Sequence, residues 1–188
     1  MILTHLGNLS NLHYLDISAS SLRVRDASWL SSLSSLQYLH MDDVAFTNMS
    51  HELFQAVNMM PSLLELHLYS CCLDNLPPSL PFENITSLSV LYLSRNPFNS
   101  PIPSWLFNIT QMLDTLSSCS NQSLELLDLS VNYLTGKLPD SVRQFSSQND
   151  VDLSRNSLSR PIPASIGNLS NLGSLNLKVN MINGKIPE

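Results

Sequence analysis

Short stretches in which apolar residues alternate with polar ones recur along the whole chain. In the first stretch, Leu12, Leu15, Ile17 and Leu22 are the apolar positions. The same frame returns six more times, and its copies begin at Leu12, Leu36, Leu63, Leu88, Leu124, Gln148 and Leu172. The hexapeptide GNLSNL stands at residues 7–12 and again at residues 167–172, at the same place in the first and the last copy. Self-similarity at a period of 20 to 50 residues predicts a repeat architecture.

The alternation predicts one short strand in each copy, because residues two apart on a strand point to the same side. Equivalent strands one period apart pair in parallel if each crossover has about a dozen residues or more. Apolar residues of successive copies then bury one another in a continuous core. We therefore predict an α/β solenoid of about seven repeats, with a curved parallel β-sheet on the concave face and 3₁₀ or irregular turns on the convex face.

The residue three positions after each strand's second apolar residue also follows a pattern. It is asparagine in the later copies, at Asn96, Asn132, Asn156 and Asn180. An asparagine side chain both donates and accepts hydrogen bonds, so it can satisfy the backbone of a buried turn. The first three copies hold Ser20, Val44 and Cys71 instead, and we expect the N-terminal half to be less regular.

We predict a single domain over residues 1–188. Repeats 1–4 occupy residues 1–111, an irregular or decayed repeat occupies residues 112–123, and repeats 5–7 occupy residues 124–188. Successive copies start 24, 27, 25, 36, 24 and 24 residues apart. The 36-residue step is the reason for placing the irregular segment between the fourth and fifth copies.

The stretches LDLSVNYLTGKLP and VDLSRNSLSRPIPASIGNLSNL resemble the plant-specific class of leucine-rich repeat. The resemblance covers nearly the whole chain, although the paired-cysteine caps that flank whole ectodomains of this class are missing. It implies a non-catalytic recognition module of a plant cell-surface receptor-like protein in defence or developmental signalling. The implied partners are a peptide, glycan or protein ligand and a leucine-rich-repeat co-receptor. The intact family protein is implied to lie at the extracellular face of the plasma membrane.

The composition and charge of the chain argue against some classes of function. Only 13% of the 188 residues are charged, the net charge is −6, and the basic residues form no run, which argues against nucleic-acid binding. No apolar stretch is long enough to span a bilayer, and we expect neither a transmembrane segment nor a signal peptide within this chain.

Six glycosylation sequons begin at Asn8, Asn48, Asn84, Asn108, Asn121 and Asn168.

Outward-facing strand positions give the candidate binding residues. In the early repeats they include Tyr38, His40, His67, Tyr69 and Tyr92, whereas most of the later repeats carry Asp-Leu-Ser. Aromatic and imidazole groups suit a recognition surface. The alternative is that they are solvated residues that favour strands.

We predict no catalytic residue, no metal site and no cofactor. Five histidines lie in the first third of the chain, but no pair has tight ligand spacing and no acidic partner completes a set. Cys71 is expected to pack inside, and a Cys72–Cys119 bridge is possible. Two alternatives to the receptor interpretation are a secreted inhibitor of pathogen cell-wall-degrading enzymes and a non-functional receptor fragment.

Overall fold

A computed structural model describes residues 3–19, 21–80, 84–107, 109, 124–144, 150–168 and 172–185. None of the helices in these ranges has both the length and the apolar character that a bilayer crossing requires.

Within the described ranges, nine short strands alternate with a series of helical turns. The strands are β1 (Tyr14–Asp16), β2 (Tyr38–His40), β3 (Glu65–His67), β4 (Val90–Tyr92), β5 (Leu126–Asp128), β6 (Thr135–Gly136), β7 (Asp150–Asp152), β8 (Ser157–Leu158) and β9 (Ser174–Asn176). The α-helix α1 spans Ser50–Val57. The 3₁₀ turns span Leu3–Asn8, Ser28–Ser32, Ser104–Phe107, Asp140–Gln144 and Ala164–Asn168.

Seven of the strands form one parallel sheet in the order β1-β2-β3-β4-β5-β7-β9. Each strand pairs with the equivalent residues of the next repeat, so that Leu15 lies opposite Leu39 and Leu39 lies opposite Leu66. β4 pairs directly with β5 across the 36-residue step, so no strand lies between them in the sheet. The predicted irregular segment 112–123 falls outside the described residues, and the division into repeats 1–4 and 5–7 stays a prediction.

The predicted solenoid fold is confirmed. The middle residues of β2, β3, β4, β5 and β7 point into one continuous core, and the residues on either side of them stay at least partly exposed. Phe46, Phe98 and Phe107 are among the largest fully buried side chains of that core. The strands at the two ends of the sheet, β1 and β9, contribute only partly buried apolar residues, namely Leu15 and Leu175.

The asparagine side chains make the hydrogen bonds to the backbone that the repeat pattern predicts. The Asn96 Nδ2 group donates to the carbonyls of Leu68, Leu93 and Ser94, and its Oδ1 accepts from the amides of Cys71 and Leu73. The side chains of Asn132, Asn156 and Asn180 likewise donate to the carbonyls of their own and the preceding repeat. Each asparagine therefore joins two neighbouring turns of the solenoid.

Cys71 takes over part of this task in the third repeat. Its thiol lies 3.0 Å from the carbonyl oxygen of Met41 and donates to it. Met41 occupies the same position as Leu68 but one repeat earlier, and the Leu68 carbonyl is a group to which Asn96 donates. A buried thiol is a weak donor, so the contact between repeats is retained in a weaker form.

The residue before each of these positions has a left-handed backbone. Its φ is positive in every repeat, at Ala19, Asp43, Ser70, Arg95, Val131, Arg155 and Val179. Gly136 and Gly184 also have positive φ, and Arg160 takes the same conformation at the glycine position of its repeat. The turn geometry is therefore set by the repeat and not by each residue's own preference.

Two features depart from the predicted fold. The crossover between β2 and β3 holds the α-helix α1, where only 3₁₀ or irregular turns were expected. β6 and β8 form a second, two-stranded parallel sheet, which the repeat pattern did not predict. The expected irregularity of the N-terminal half is wrong for the large sheet, because β1 to β4 pair in the same unbroken register as the later strands.

Candidate recognition surface

The solvent-facing side chains of the seven-stranded sheet form a surface that we call the outer face. Strand pairing places Asp16, His40, His67, Tyr92, Asp128, Asp152 and Asn176 in one file across it. A neighbouring file begins with Tyr14, Tyr38 and Glu65. All five predicted binding residues lie on or next to β2, β3 and β4, and all five are partly exposed. The structure therefore brings them together, while their role in binding stays a prediction.

Four rings contact one another in sequence across four successive repeats, and we call them the aromatic ladder: Tyr14, His40, His67 and Tyr92. The two imidazole rings are stacked, with centroids 3.9 Å apart and planes 20° apart. The ring centroids of Tyr14 and His40 lie 5.3 Å apart and those of His67 and Tyr92 lie 4.5 Å apart, and both pairs meet edge to face, at 74° and 61°. Ring pairs at such distances hold one another in place, so the ladder is a pre-ordered surface.

Glu65 stands beside the two imidazoles of the ladder. Its Oε2 atom lies 3.8 Å from Nε2 of His40 and 3.7 Å from Nε2 of His67. The expectation that no acidic residue completes a histidine set is therefore wrong. The sequence did contain the signal, because Glu65 precedes His67 by two residues, and residues two apart on a strand share a face.

Burial and the local charges affect the ionisation of this cluster. Partial burial lowers the pKa of His67, and the neighbouring His40 lowers it further. Asp42, Glu65 and Asp16 oppose the shift, but more weakly. Burial also raises the pKa of Tyr92, and the nearby carboxylates of Asp128 and Glu65 add to this increase. The His67 ring is therefore biased towards its neutral form.

A groove of about 330 Å³ opens beside the ladder. The Tyr69 hydroxyl accepts a hydrogen bond from the Arg95 guanidinium at 2.9 Å, and the same guanidinium lies 5.8 Å from the centre of the Tyr69 ring. The Asp42 carboxylate accepts from the Tyr69 amide. Aromatic, cationic and anionic groups thus line one concavity, a composition that suits a polar chain such as a peptide. Arg95 is a residue of this groove that the sequence-based prediction missed.

The later repeats present a different surface. The Oδ1 atoms of Asp128 and Asp152 accept from the amides of Ser130 and Ser154, two residues further on. These carboxylates are therefore engaged in local turns. The recurring Asp-Leu-Ser stretch has a structural role here, and Asp16 makes the same turn with the amide of Ser18 in the first repeat.

The predicted glycosylation sites and the cysteines lie partly within and partly outside the described residues. Asn8, Asn48 and Asn84 are exposed, so their side chains are accessible to modification. Asn108, Asn121 and the side chain of Asn168 lie outside the described residues. Cys71 is buried and Cys72 is exposed. Cys119 also lies outside the described residues, so its bridge to Cys72 stays a prediction.

Comparison with known proteins identifies the family. The family model described as Leucine Rich Repeat matches residues 87–109, 123–145 and 149–169. The chain belongs to the leucine-rich-repeat family. This leucine-rich-repeat chain is 39% identical over 137 residues to the receptor-like protein EIX1 of Solanum lycopersicum, a match that covers 71% of this chain and 12% of that protein. The resemblance to plant receptor-like proteins is thus confirmed.

Solved structures share the same leucine-rich-repeat architecture. The ectodomain of the plant membrane receptor kinase GASSHO1/SCHENGEN3 from Arabidopsis thaliana aligns with a TM-score of 0.76 and 27% identity, over 97% of this chain and 20% of that one. The Arabidopsis receptor kinase HAESA ectodomain, solved with a peptide hormone ligand, aligns with a TM-score of 0.73 and 25% identity, over 98% of this chain and 28% of that one. The chain spans 12% to 18% of the length of the curated relatives it matches.

Proposed function

We propose that this chain is a non-catalytic recognition module of a plant cell-surface receptor-like protein, and that it binds a peptide or protein through the outer face of β2 to β4. The observation that best supports this proposal is that the aromatic ladder lies beside the groove lined by Tyr69 and Arg95. Relatives named as receptor-like proteins and a structural neighbour solved with a peptide hormone support this assignment.

The mechanism is binding without chemistry. The ladder side chains are already held by one another, so they lose little conformational freedom when a ligand arrives. Tyrosine rings supply apolar contact area together with a polar hydroxyl, a combination that is enriched at binding hot spots. Arg95 and Asp42 supply charges of opposite sign for ligand orientation. A glycan could use the same stacking groups, but the paired charges of the groove favour a peptide.

The location and modification of the intact protein follow from the same proposal. The receptor-like relatives imply placement at the cell surface. A peptide ligand would then reach the outer face of the sheet from the extracellular side of the plasma membrane. Exposed Asn8, Asn48 and Asn84 are then glycosylated. The possible co-receptor, a second leucine-rich-repeat protein, would contact the ligand-bound surface.

Selection of short random peptides on the purified chain tests the binding surface. We expect enriched peptides to lose at least about tenfold in affinity for a variant that carries Tyr38→Ala, His67→Ala and Tyr92→Ala, because each is a partly buried aromatic or imidazole anchor. The matched control carries three exposed substitutions in and just after α1, on the crossover side: His51→Ala, Gln55→Ala and Met59→Ala.

Peptides that bind both triple variants as tightly as the unmodified chain would overturn the proposal. Far-UV circular dichroism of both variants establishes that they retain the fold. The secreted-inhibitor alternative predicts instead that the chain captures a cell-wall-degrading enzyme. The same variants, assayed against such an enzyme, separate the two functions.

A further inference from the structure

We propose that His40, Glu65 and His67 bind a divalent transition-metal ion of the zinc class on the outer face. This inference is independent of the peptide-binding proposal, because it concerns the ion alone. The three residues come from two adjacent repeats. His40 lies on β2 opposite His67 on β3, and Glu65 begins β3 on the same face.

The three potential ligand atoms converge. One ligand atom from each residue lies within 4.8 Å of the other two, and Glu65 Oε2 lies 3.8 Å from Nε2 of His40 and 3.7 Å from Nε2 of His67. These approaches are longer than a hydrogen bond. They are only about 0.4 Å longer than the ligand separation of roughly 3.3 Å that tetrahedral zinc with bonds near 2.0 Å requires.

The Nε2 atoms of the two imidazoles have no hydrogen-bond partner among the described residues. Nε2 of His40 and Nε2 of His67 are both buried. Buried polar atoms without partners are costly. A cation between the two nitrogens and the carboxylate would give all three atoms a partner at once.

Small movements complete the site. A metal ion lies in the plane of each imidazole that binds it, so the two ring planes must open from their present 20°. The side chains of His40, His67 and Glu65 are 19%, 22% and 33% exposed. They border solvent, and rotations about their side-chain bonds need no movement of the β2–β3 backbone.

The surrounding charges favour a cation. Asp16 pairs with His40 in the strand register, and Asp42 follows His40 by two residues and accepts a hydrogen bond from the Tyr69 amide. Two carboxylates therefore lie near the three ligands. Two imidazoles and one carboxylate select a transition ion over magnesium or calcium, which prefer oxygen ligands throughout. Three protein ligands leave one position for water or for a donor group on a bound partner.

Isothermal titration calorimetry with zinc chloride alone tests the site, at about pH 7.5 so that histidine is neutral. The full chain carries Cys72→Ser and Cys119→Ser, which remove the thiols that would compete for zinc. We expect saturable binding of one ion, and at least a tenfold weakening by His67→Gln and by Glu65→Gln separately. The control His51→Gln removes an exposed histidine on α1 and should change the affinity less than twofold.

Histidine NMR spectra give a second readout. Zinc should shift the imidazole signals of His40 and His67 and leave those of His13 and His51 unchanged. Glu65→Gln keeps the shape of the side chain, so loss of binding in that variant cannot be ascribed to lost packing. Absence of zinc binding overturns the proposal, and so does zinc binding that neither His67→Gln nor Glu65→Gln weakens.

Discussion

Asn96 joins its own repeat to the preceding one, because its Oδ1 atom accepts a hydrogen bond from the amide of Cys71 at 2.9 Å. The same side chain is 2% exposed and makes four further hydrogen bonds to the backbone. A satisfied amide at this depth holds two turns of the solenoid in register. Its removal therefore leaves several buried backbone groups without partners.

We predict that Asn96→Ala lowers the free energy of unfolding by about 3 kcal/mol, since each buried backbone group that loses its partner costs about 1–3 kcal/mol. Urea unfolding followed by circular dichroism measures the change. The control is Asn75→Ala, at an exposed asparagine one repeat earlier. A loss at Asn96 no larger than that at Asn75 would show that the asparagine hydrogen bonds are dispensable.

Val131 carries a left-handed backbone with a φ of 54°, although its side chain is β-branched. Its side chain is 42% exposed, so little packing depends on it. We predict that Val131→Asn raises the free energy of unfolding by about 1 kcal/mol, because asparagine tolerates this conformation better. Val90→Asn, in strand β4, should be destabilising instead. Thermal unfolding in which the melting temperatures of both variants shift in the same direction would contradict this prediction.

Two tryptophans differ in their hydrogen bonding. Trp105 Nε1 donates to the carbonyl of Pro77 at 2.7 Å, whereas Trp29 Nε1 is buried with no hydrogen-bond partner among the described residues. Replacement by phenylalanine should therefore cost more at Trp105, by at least about 1 kcal/mol, because the Pro77 carbonyl is left unpaired. Denaturant titration of Trp105→Phe and Trp29→Phe makes the comparison. Equal losses would contradict it.

Adjacent cysteines should differ in reactivity. Burial raises the pKa of the Cys71 thiol to about 12, while Cys72 is exposed. Because thiolate is the reactive form, iodoacetamide at about pH 8, just below the usual thiol pKa, should label Cys72 and spare Cys71 until the chain unfolds. Peptide mass mapping distinguishes the two. Comparable labelling of both cysteines in the folded chain would show that Cys71 is accessible.

The Cys71 thiol also sets a pH dependence. Its pKa is higher in the folded chain than the ordinary value of 9.0, so its contribution to stability is fully present below about pH 9. The contribution is lost as the pH rises from about 9 to about 12, because the unfolded chain releases this proton first. Cys71→Ala should therefore reduce the loss of stability in this range. An unchanged pH profile would assign the loss to other groups.

Sequence pattern predicted much of this structure. A strand register that slips by one residue would turn every apolar side chain to the wrong face, so the spacing of Leu15, Leu39 and Leu66 fixed the pairing of β1, β2 and β3. The same periodicity placed His40, His67 and Tyr92 in one file. The chemistry of asparagine predicted the inter-repeat hydrogen bonds of Asn96 and Asn156.

Other features were decided only by tertiary structure. α1 and the β6–β8 sheet lie in crossovers, where the repeat imposes no strict periodicity. The approach of Glu65 to two imidazoles depends on the direction of three side chains from two repeats. Periodicity determines which face a residue occupies, because the backbone hydrogen bonds repeat. Contacts between particular side chains depend on packing against neighbours 25 and 27 residues away along the chain, and that information exists only in the folded solenoid.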